Sequence, residues 1–140
     1  MLYLDTSLLV AALTREAKTA RVQAWLDDQE PAELAISEWV VTEFSAALSI
    51  KLRTREIEAD DRADALAMFA GLCAENLAIL PISGLHFRTA ARFADQYALG
   101  LRAGDALHLA ICADYGATVA SLDRRLSEAG STLGLRTTLL

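Results

Sequence analysis

Cysteine, proline and lysine are all scarce in this chain, and each scarcity excludes something. Cys73 and Cys112 are the only cysteines among 140 residues. Both lie in alanine- and leucine-rich text, so they read as small core hydrophobes and not as a disulfide framework. His86 and His108 have no metal-ligand spacing with them, which removes zinc and iron–sulfur sites from consideration. Two prolines and seven glycines leave little material for linkers or disorder. No apolar run approaches the ~18 residues that a membrane span needs, and Met1-Leu2-Tyr3-Leu4-Asp5 lacks the basic segment of a secretory leader. A soluble, cytoplasmic protein is expected. Lysine is confined to Lys18 and Lys51, and the net charge is −6. A chain that held nucleic acid by electrostatics alone would be basic, so composition argues against that partner unless the acids are gathered where they are useful.

What is present is apolar and helical. The 54% hydrophobic content over 140 residues is enough for one core, and a single domain over 1–140 is expected. A short apolar run at 2–4 ends in Asp5-Thr6-Ser7, a capping cluster that leads into a helix at 8–13. A helix at 17–28 places Ala20, Ala24 and Trp25 on one face, and Glu30-Pro31 breaks it. A strand at 34–37 runs into a long helix at 38–52. The acidic run 56–61 opens another helix with Leu66, Phe69, Ala70, Cys73 and Leu77 at helical spacing. After a strand at 77–82 comes a helix with Phe87, Ala90, Ala91, Ala94 and Tyr97 on one side, ended by Gly100. Then follow a helix at 105–115 stopped by Gly116, a strand at 118–122, a short helix at 123–129 and a strand at 135–139. Strands alternate with helices throughout, which predicts an α/β fold with a mostly parallel sheet of about five strands. In such sheets ligands bind at the carboxyl ends of the strands.

Asp5 directly follows the first strand and Asp123 the fourth, so both project from one sheet edge if those strands are parallel neighbours. Either can also be a plain helix cap. Glu43 shares a helix face with Trp39, Val40, Ala46 and Ala47, and Asp105 aligns with Leu101, Leu109 and Cys112. An acid on an apolar stripe needs a cation, a metal or a structural partner. Four carboxylates converging on one pocket cannot all stay ionised without compensating charge. Mg²⁺ or Mn²⁺, hard cations with oxygen ligands, would supply it. His108, one turn after Asp105, is read as a helix-face residue.

Four segments then combine in order: Leu4-Asp5-Thr6-Ser7, Val41-Thr42-Glu43-Phe44, Gly104-Asp105-Ala106-Leu107-His108-Leu109-Ala110, and Ala120-Ser121-Leu122-Asp123-Arg124-Arg125-Leu126. Over nearly the full chain the sequence resembles PIN domains, and among them the VapC toxins of VapBC toxin–antitoxin pairs. The resemblance implies a three-layer α/β/α sandwich with Asp5, Glu43, Asp105 and Asp123 as the catalytic, metal-binding acids. Ser7 and Ser121 stand at the accompanying hydroxyl positions, Ser121 where threonine is commoner. The implied activity is hydrolysis of RNA phosphodiester bonds with Mg²⁺ or Mn²⁺, as a toxin endoribonuclease. A PIN nuclease of general RNA processing and a non-catalytic module of the same fold are the alternatives. Arg102, Arg124 and Arg125 are placed to meet substrate phosphates or are ordinary surface charge. A VapB-type antitoxin is the implied partner, anchored on apolar faces near Trp39 and Phe44. A homodimer is expected through the helices around Trp39–Leu52 and Phe69–Leu77. A receiver domain or a haloacid-dehalogenase-like phosphatase also places an acid after an early strand. The phosphatase pattern needs a second Asp where Ser7 stands, and a receiver needs a late lysine that this chain lacks.

Overall fold

Short aliphatic runs closed by capping residues become strands, and the amphipathic stretches between them become helices. The computed structural model describes residues 1–140. In chain order its elements are β1 (Leu2–Leu4), α1 (Thr6–Leu13), α2 (Thr19–Asp27), β2 (Leu34–Ser37), α3 (Glu38–Arg53), α4 (Ala59–Glu75), β3 (Ala78–Leu80), α5 (Gly84–Ala94), α6 (Ala103–Tyr115), β4 (Thr118–Ser121), α7 (Arg124–Thr132) and β5 (Thr137–Leu139). Single 3₁₀ turns occupy Pro31–Glu33 and Tyr97–Leu99.

The five strands form one sheet in the order β3-β2-β1-β4-β5. Every pairing is parallel, including Tyr3 opposite Ala35 and Leu4 opposite Ala120. From β1 the chain steps outward to β2 and β3, then crosses back to β4 and β5. The order therefore reverses between β1 and β4, and a crevice forms there beyond the strands' carboxyl ends. Asp5 and Asp123 follow those two strands. Helices α1 to α4 pack among themselves, while α5 and α6 form a second group and α7 lies on β4 and β5. The architecture is the α/β sandwich expected, with a fully parallel sheet.

Thirty-one buried hydrophobic residues make one cluster. In α3 the buried stripe is Val40, Phe44 and Leu48, at the four-residue spacing of one helix face. Phe44 stacks on Phe69 of α4, with ring centroids 4.2 Å apart. Burying each such side chain stabilises the fold by roughly 1.5–3 kcal/mol. No helix is long and apolar enough to cross a membrane.

Two helices are rotated from the faces expected. In α2 the buried residue is Val22, whereas Ala20 and Ala24 are exposed. Alanine carries little apolar area, so the branched side chain decides the inward face. In α5 the inward residues are His86 and Ala90, and Phe87 is 56% exposed. His86 can be buried because both ring nitrogens are engaged: Nδ1 accepts from the Ser83 amide at 2.9 Å, and Nε2 meets Asp114 of α6 at 3.0 Å. Phe87, Ala91 and Ala94 instead line an apolar groove with Trp39, Ala103 and Leu107. Tyr97 lies beyond the helix, in the 3₁₀ turn. Phe44 and Phe69 are buried, so neither offers apolar surface to another chain.

Candidate active site

Asp5 leaves the central strand and caps α1, its Oδ1 accepting from the Leu8 amide at 3.2 Å. That satisfies an amide left free at the helix start. The same oxygen accepts from Ser7 Oγ at 2.6 Å, and Oδ2 accepts from Ser121 Oγ at 2.6 Å. Each serine is used twice, since Ser7 Oγ accepts the Leu122 amide and Ser121 Oγ the Asp123 amide. The two hydroxyls thus stitch the start of α1 to the turn after β4. Asp5 is 4% exposed, and burial holds its carboxyl above the ordinary aspartate range despite the Ser121 and Ser7 bonds.

Asp123 caps α7 by accepting the Arg125 and Leu126 amides on Oδ1. Asp105, at the third position of α6, accepts the Arg102 amide on Oδ2 at a long 3.4 Å. Its carboxyl is raised, first by burial and further by the charge of Asp123, with the Arg102 amide a partial offset. Asp123 is therefore a cap, as the plain reading of it allowed, and Asp105 supports the start of α6 from its first turn. They are cleft residues as well.

Glu43 projects from α3 beside the buried stripe. Its Oε2 accepts from Thr6 Oγ1 at 2.5 Å and from His108 Nε2 at 2.8 Å. Burial opposes its ionisation, but the His108 hydrogen bond and charge, with Thr6, outweigh it and hold the carboxyl below the usual glutamate range. His108 is 3% exposed and is no surface residue. Its Nδ1 lies 2.8 Å from the hydroxyl of Tyr3, which lies 2.7 Å from Ser37 Oγ. Gly104 admits the carboxylate: a Cβ there would stand 2.7 Å from Glu43 Oε1 and 3.3 Å from Trp39 Nε1.

Asp5, Glu43, Asp105 and Asp123 line one open cleft of about 330 Å³, together with Thr6, Ser7 and His108. They do not close into a ready-made cage of three or more ligands. Glu43 Oε1, Asp105 Oδ1 and Asp123 Oδ2 accept no hydrogen bond, so acceptor-only oxygens remain for a cation. That donor set, oxygen without sulfur, suits a hard divalent ion. Arg102, Arg124 and Arg125 are exposed on the segments carrying Asp105 and Asp123. Sequence reasoning brought the four acids and both serines together. It missed Thr6, Tyr3, Ser37, Gly104 and the inward role of His108, although Thr6 and Gly104 lay inside the segments it singled out.

A family profile described as PIN domain matches residues 2–131. No curated protein sequence matches at a significant level. Solved structures do. FitAcB from Neisseria gonorrhoeae superposes with a TM-score of 0.75 at 22% identity, covering 98% of this chain and 96% of that one. VapC20 from Mycobacterium tuberculosis, described as a sarcin–ricin loop cleaving toxin, gives 0.75 at 16% identity over 93% and 95%. VapBC2 from Rickettsia felis, bound to a DNA fragment from its promoter, gives 0.67 at 16% identity over 100% and 99%. At these identities the likeness is one of fold. With the profile spanning nearly the whole chain over this sheet order and this acidic cleft, the protein belongs to the PIN-domain family.

Proposed function

We propose that the chain is a metal-dependent endoribonuclease acting as the toxin of a type II toxin–antitoxin pair. The observation that carries this reading is the cleft itself. A protein of net charge −6 gathers four acids from separate elements at the sheet's switch point and leaves oxygens of three of them without hydrogen bonds. In this reading Asp5, Glu43 and Asp105 hold Mg²⁺ or Mn²⁺, with Asp123 a further ligand or the group that orients the attacking water. Mg²⁺ usually keeps several of its own waters, so not every acid of the cleft needs to touch it directly. A bound cation supplies charge neutralisation at the scissile phosphate and lowers the pKa of a coordinated water.

The chain's own residues do the rest. Ser7 and Ser121 hold Asp5 by both carboxylate oxygens, so it need not reorganise when a cation arrives. Thr6 and His108 hold Glu43. Arg102, Arg124 and Arg125 meet the phosphates flanking the cut, and none of them is spent on an intramolecular ion pair.

Structures similar to this chain include VapBC complexes and a toxin that cleaves the sarcin–ricin loop. They support RNA as the substrate class and a VapB-type antitoxin as the partner. An antitoxin arginine reaching the cleft can pair with the acids where the metal would sit. The apolar groove bearing Trp39 and Phe87 is the anchoring surface, in place of the buried Phe44. We further propose a cytoplasmic location, a single domain over 1–140, and a homodimer that light scattering at tens of micromolar would reveal. Expression alone should arrest growth and fragment RNA. Co-expression with a short adjoining reading frame should reverse both, and cleavage in vitro should stop with EDTA. Cleavage undiminished by rigorous chelation would overturn the metal-dependent reading. An adjoining product that neither binds the chain nor restores growth would overturn the toxin role.

A further inference from the structure

Behind the cleft stand buried polar side chains that the proposed chemistry does not itself require. Tyr3 lies in the central strand at 0% exposure, where phenylalanine would fill the same space without a hydroxyl to satisfy. Ser37, also at 0% exposure, contacts the phenol as its single hydrogen-bond partner. A buried donor left unpaired costs about 1–3 kcal/mol, so the Ser37 proton belongs on the Tyr3 oxygen. The phenol proton then has one remaining acceptor, His108 Nδ1. That assignment leaves the hydrogen of His108 on Nε2, which donates to Glu43 Oε2. Each donor in the series Ser37, Tyr3, His108 points toward the cleft, and the series ends on one carboxylate oxygen. Thr6 holds the same oxygen from the other side, and Gly104 leaves no slack beside Oε1.

We propose that Tyr3 and His108 are positioning residues for Glu43, with Tyr3 acting through His108, and that they fix the carboxylate in the orientation that binds the divalent cation. The inference rests on the metal-binding role proposed for Glu43. Partners that orient a metal-binding side chain typically change metal affinity by 10–100-fold when removed. Because β2, β1, α6 and α3 contribute Ser37, Tyr3, His108 and Glu43 in turn, the series also joins the sheet to the two helices that carry Glu43 and Asp105.

The test uses the full chain and Mn²⁺ alone, titrated by calorimetry, with circular dichroism to confirm folding. His108→Leu, which keeps bulk and removes the donor, should weaken Mn²⁺ binding about tenfold or more. Tyr3→Phe should weaken it in the same direction. His108→Gln, whose amide can donate to Glu43, should recover most of the loss. Adding Tyr3→Phe to His108→Leu should cost nothing further, since Tyr3 acts only through the ring. Wild-type affinity in a folded His108→Leu or Tyr3→Phe protein would overturn the proposal. So would His108→Gln binding as weakly as His108→Leu, because packing would then be the cause. Should His108→Leu fail to fold, Tyr3→Phe and His108→Gln decide the matter by the same readout. A wild-type chain that binds no Mn²⁺ would overturn this inference together with the metal site. One that binds Mn²⁺ yet cuts no RNA would overturn the nuclease reading and leave the positioning role standing.

Discussion

Asp5 has two tasks that pull against each other. As the cap of α1 it is well served by the Leu8 amide, Ser7 and Ser121. As a buried anion it is costly, and its raised carboxyl records that cost. A carboxyl whose folded pKa lies above its unfolded one favours the folded state only while protonated. The penalty is therefore absent below the unfolded pKa and grows as pH rises through the folded one. Asp5→Asn keeps the volume and removes the charge. In metal-free buffer its melting temperature relative to wild type should rise by a few degrees between pH 4 and pH 7.5, because the charge penalty is removed while the hydroxyl bond lost at one oxygen costs the same at both, and RNA cleavage should fall at least a hundredfold. A folded Asp5→Asn protein that cleaves RNA at the wild-type rate would sink the site assignment. Asp5 and Asp123 were legible because an acid directly after a strand is a local signal. The Tyr3 and His108 roles were not, because the phenol's partners lie 34 and 105 residues away, and no spacing rule reaches that far.

At the scale of elements, α6 and α7 show how a helix start can serve as structure and as site. Gly104 lies in the first turn of α6, where alanine is intrinsically better by about 0.8–1 kcal/mol. Yet a Cβ there would stand 2.7 Å from Glu43 Oε1. The obstructed atom ends a side chain and not a backbone segment, so the fold can yield by displacing Glu43. Gly104→Ala should thus change thermal stability little while reducing cleavage by tenfold or more, and kinetics beside a melting curve will separate the two effects. Asp123→Ser makes the converse test, because serine caps nearly as well as aspartate but carries no charge. Its melting temperature should stay within a few degrees of wild type and its activity should be lost. Retained activity would reduce Asp123 to a cap. Helix existence and order were legible from apolar periodicity, while the rotation of α2 and α5 was not. Those helices are alanine-rich, so single features decide their facing: Val22 in one, and in the other a histidine held by Ser83 and Asp114. A buried, fully bonded histidine looks polar in sequence and behaves as an anchor.

At the scale of the molecule, a net charge of −6 has to be reconciled with an RNA substrate. Most of the acids are spread over exposed helix faces, as Asp60, Asp64, Asp114 and Glu128 are, and repel a polyanion weakly at physiological ionic strength, where screening acts over about 8 Å. In the proposed reading, what favours RNA is local: a cation in the cleft and the guanidinium groups of Arg102, Arg124 and Arg125 on the segments beside it. Affinity for single-stranded RNA falls with salt at a log–log slope near −0.7 for each phosphate neutralised, so three phosphate contacts by these arginines would set a slope of about −2, shallow for a protein that binds nucleic acid. The measurement uses the Asp5→Asn protein, which should not cut, with Mg²⁺ held constant and potassium chloride varied. Arg102→Ala should reduce the slope by about 0.7 and weaken binding to different RNA sequences alike, the mark of a phosphate contact. A slope unchanged by all three replacements would return these arginines to ordinary surface charge. The sequence left that choice open because an arginine beside a catalytic acid and an arginine on an idle surface read the same. The structure adds that all three are exposed and outside any intramolecular ion pair, so the salt dependence is the deciding measurement.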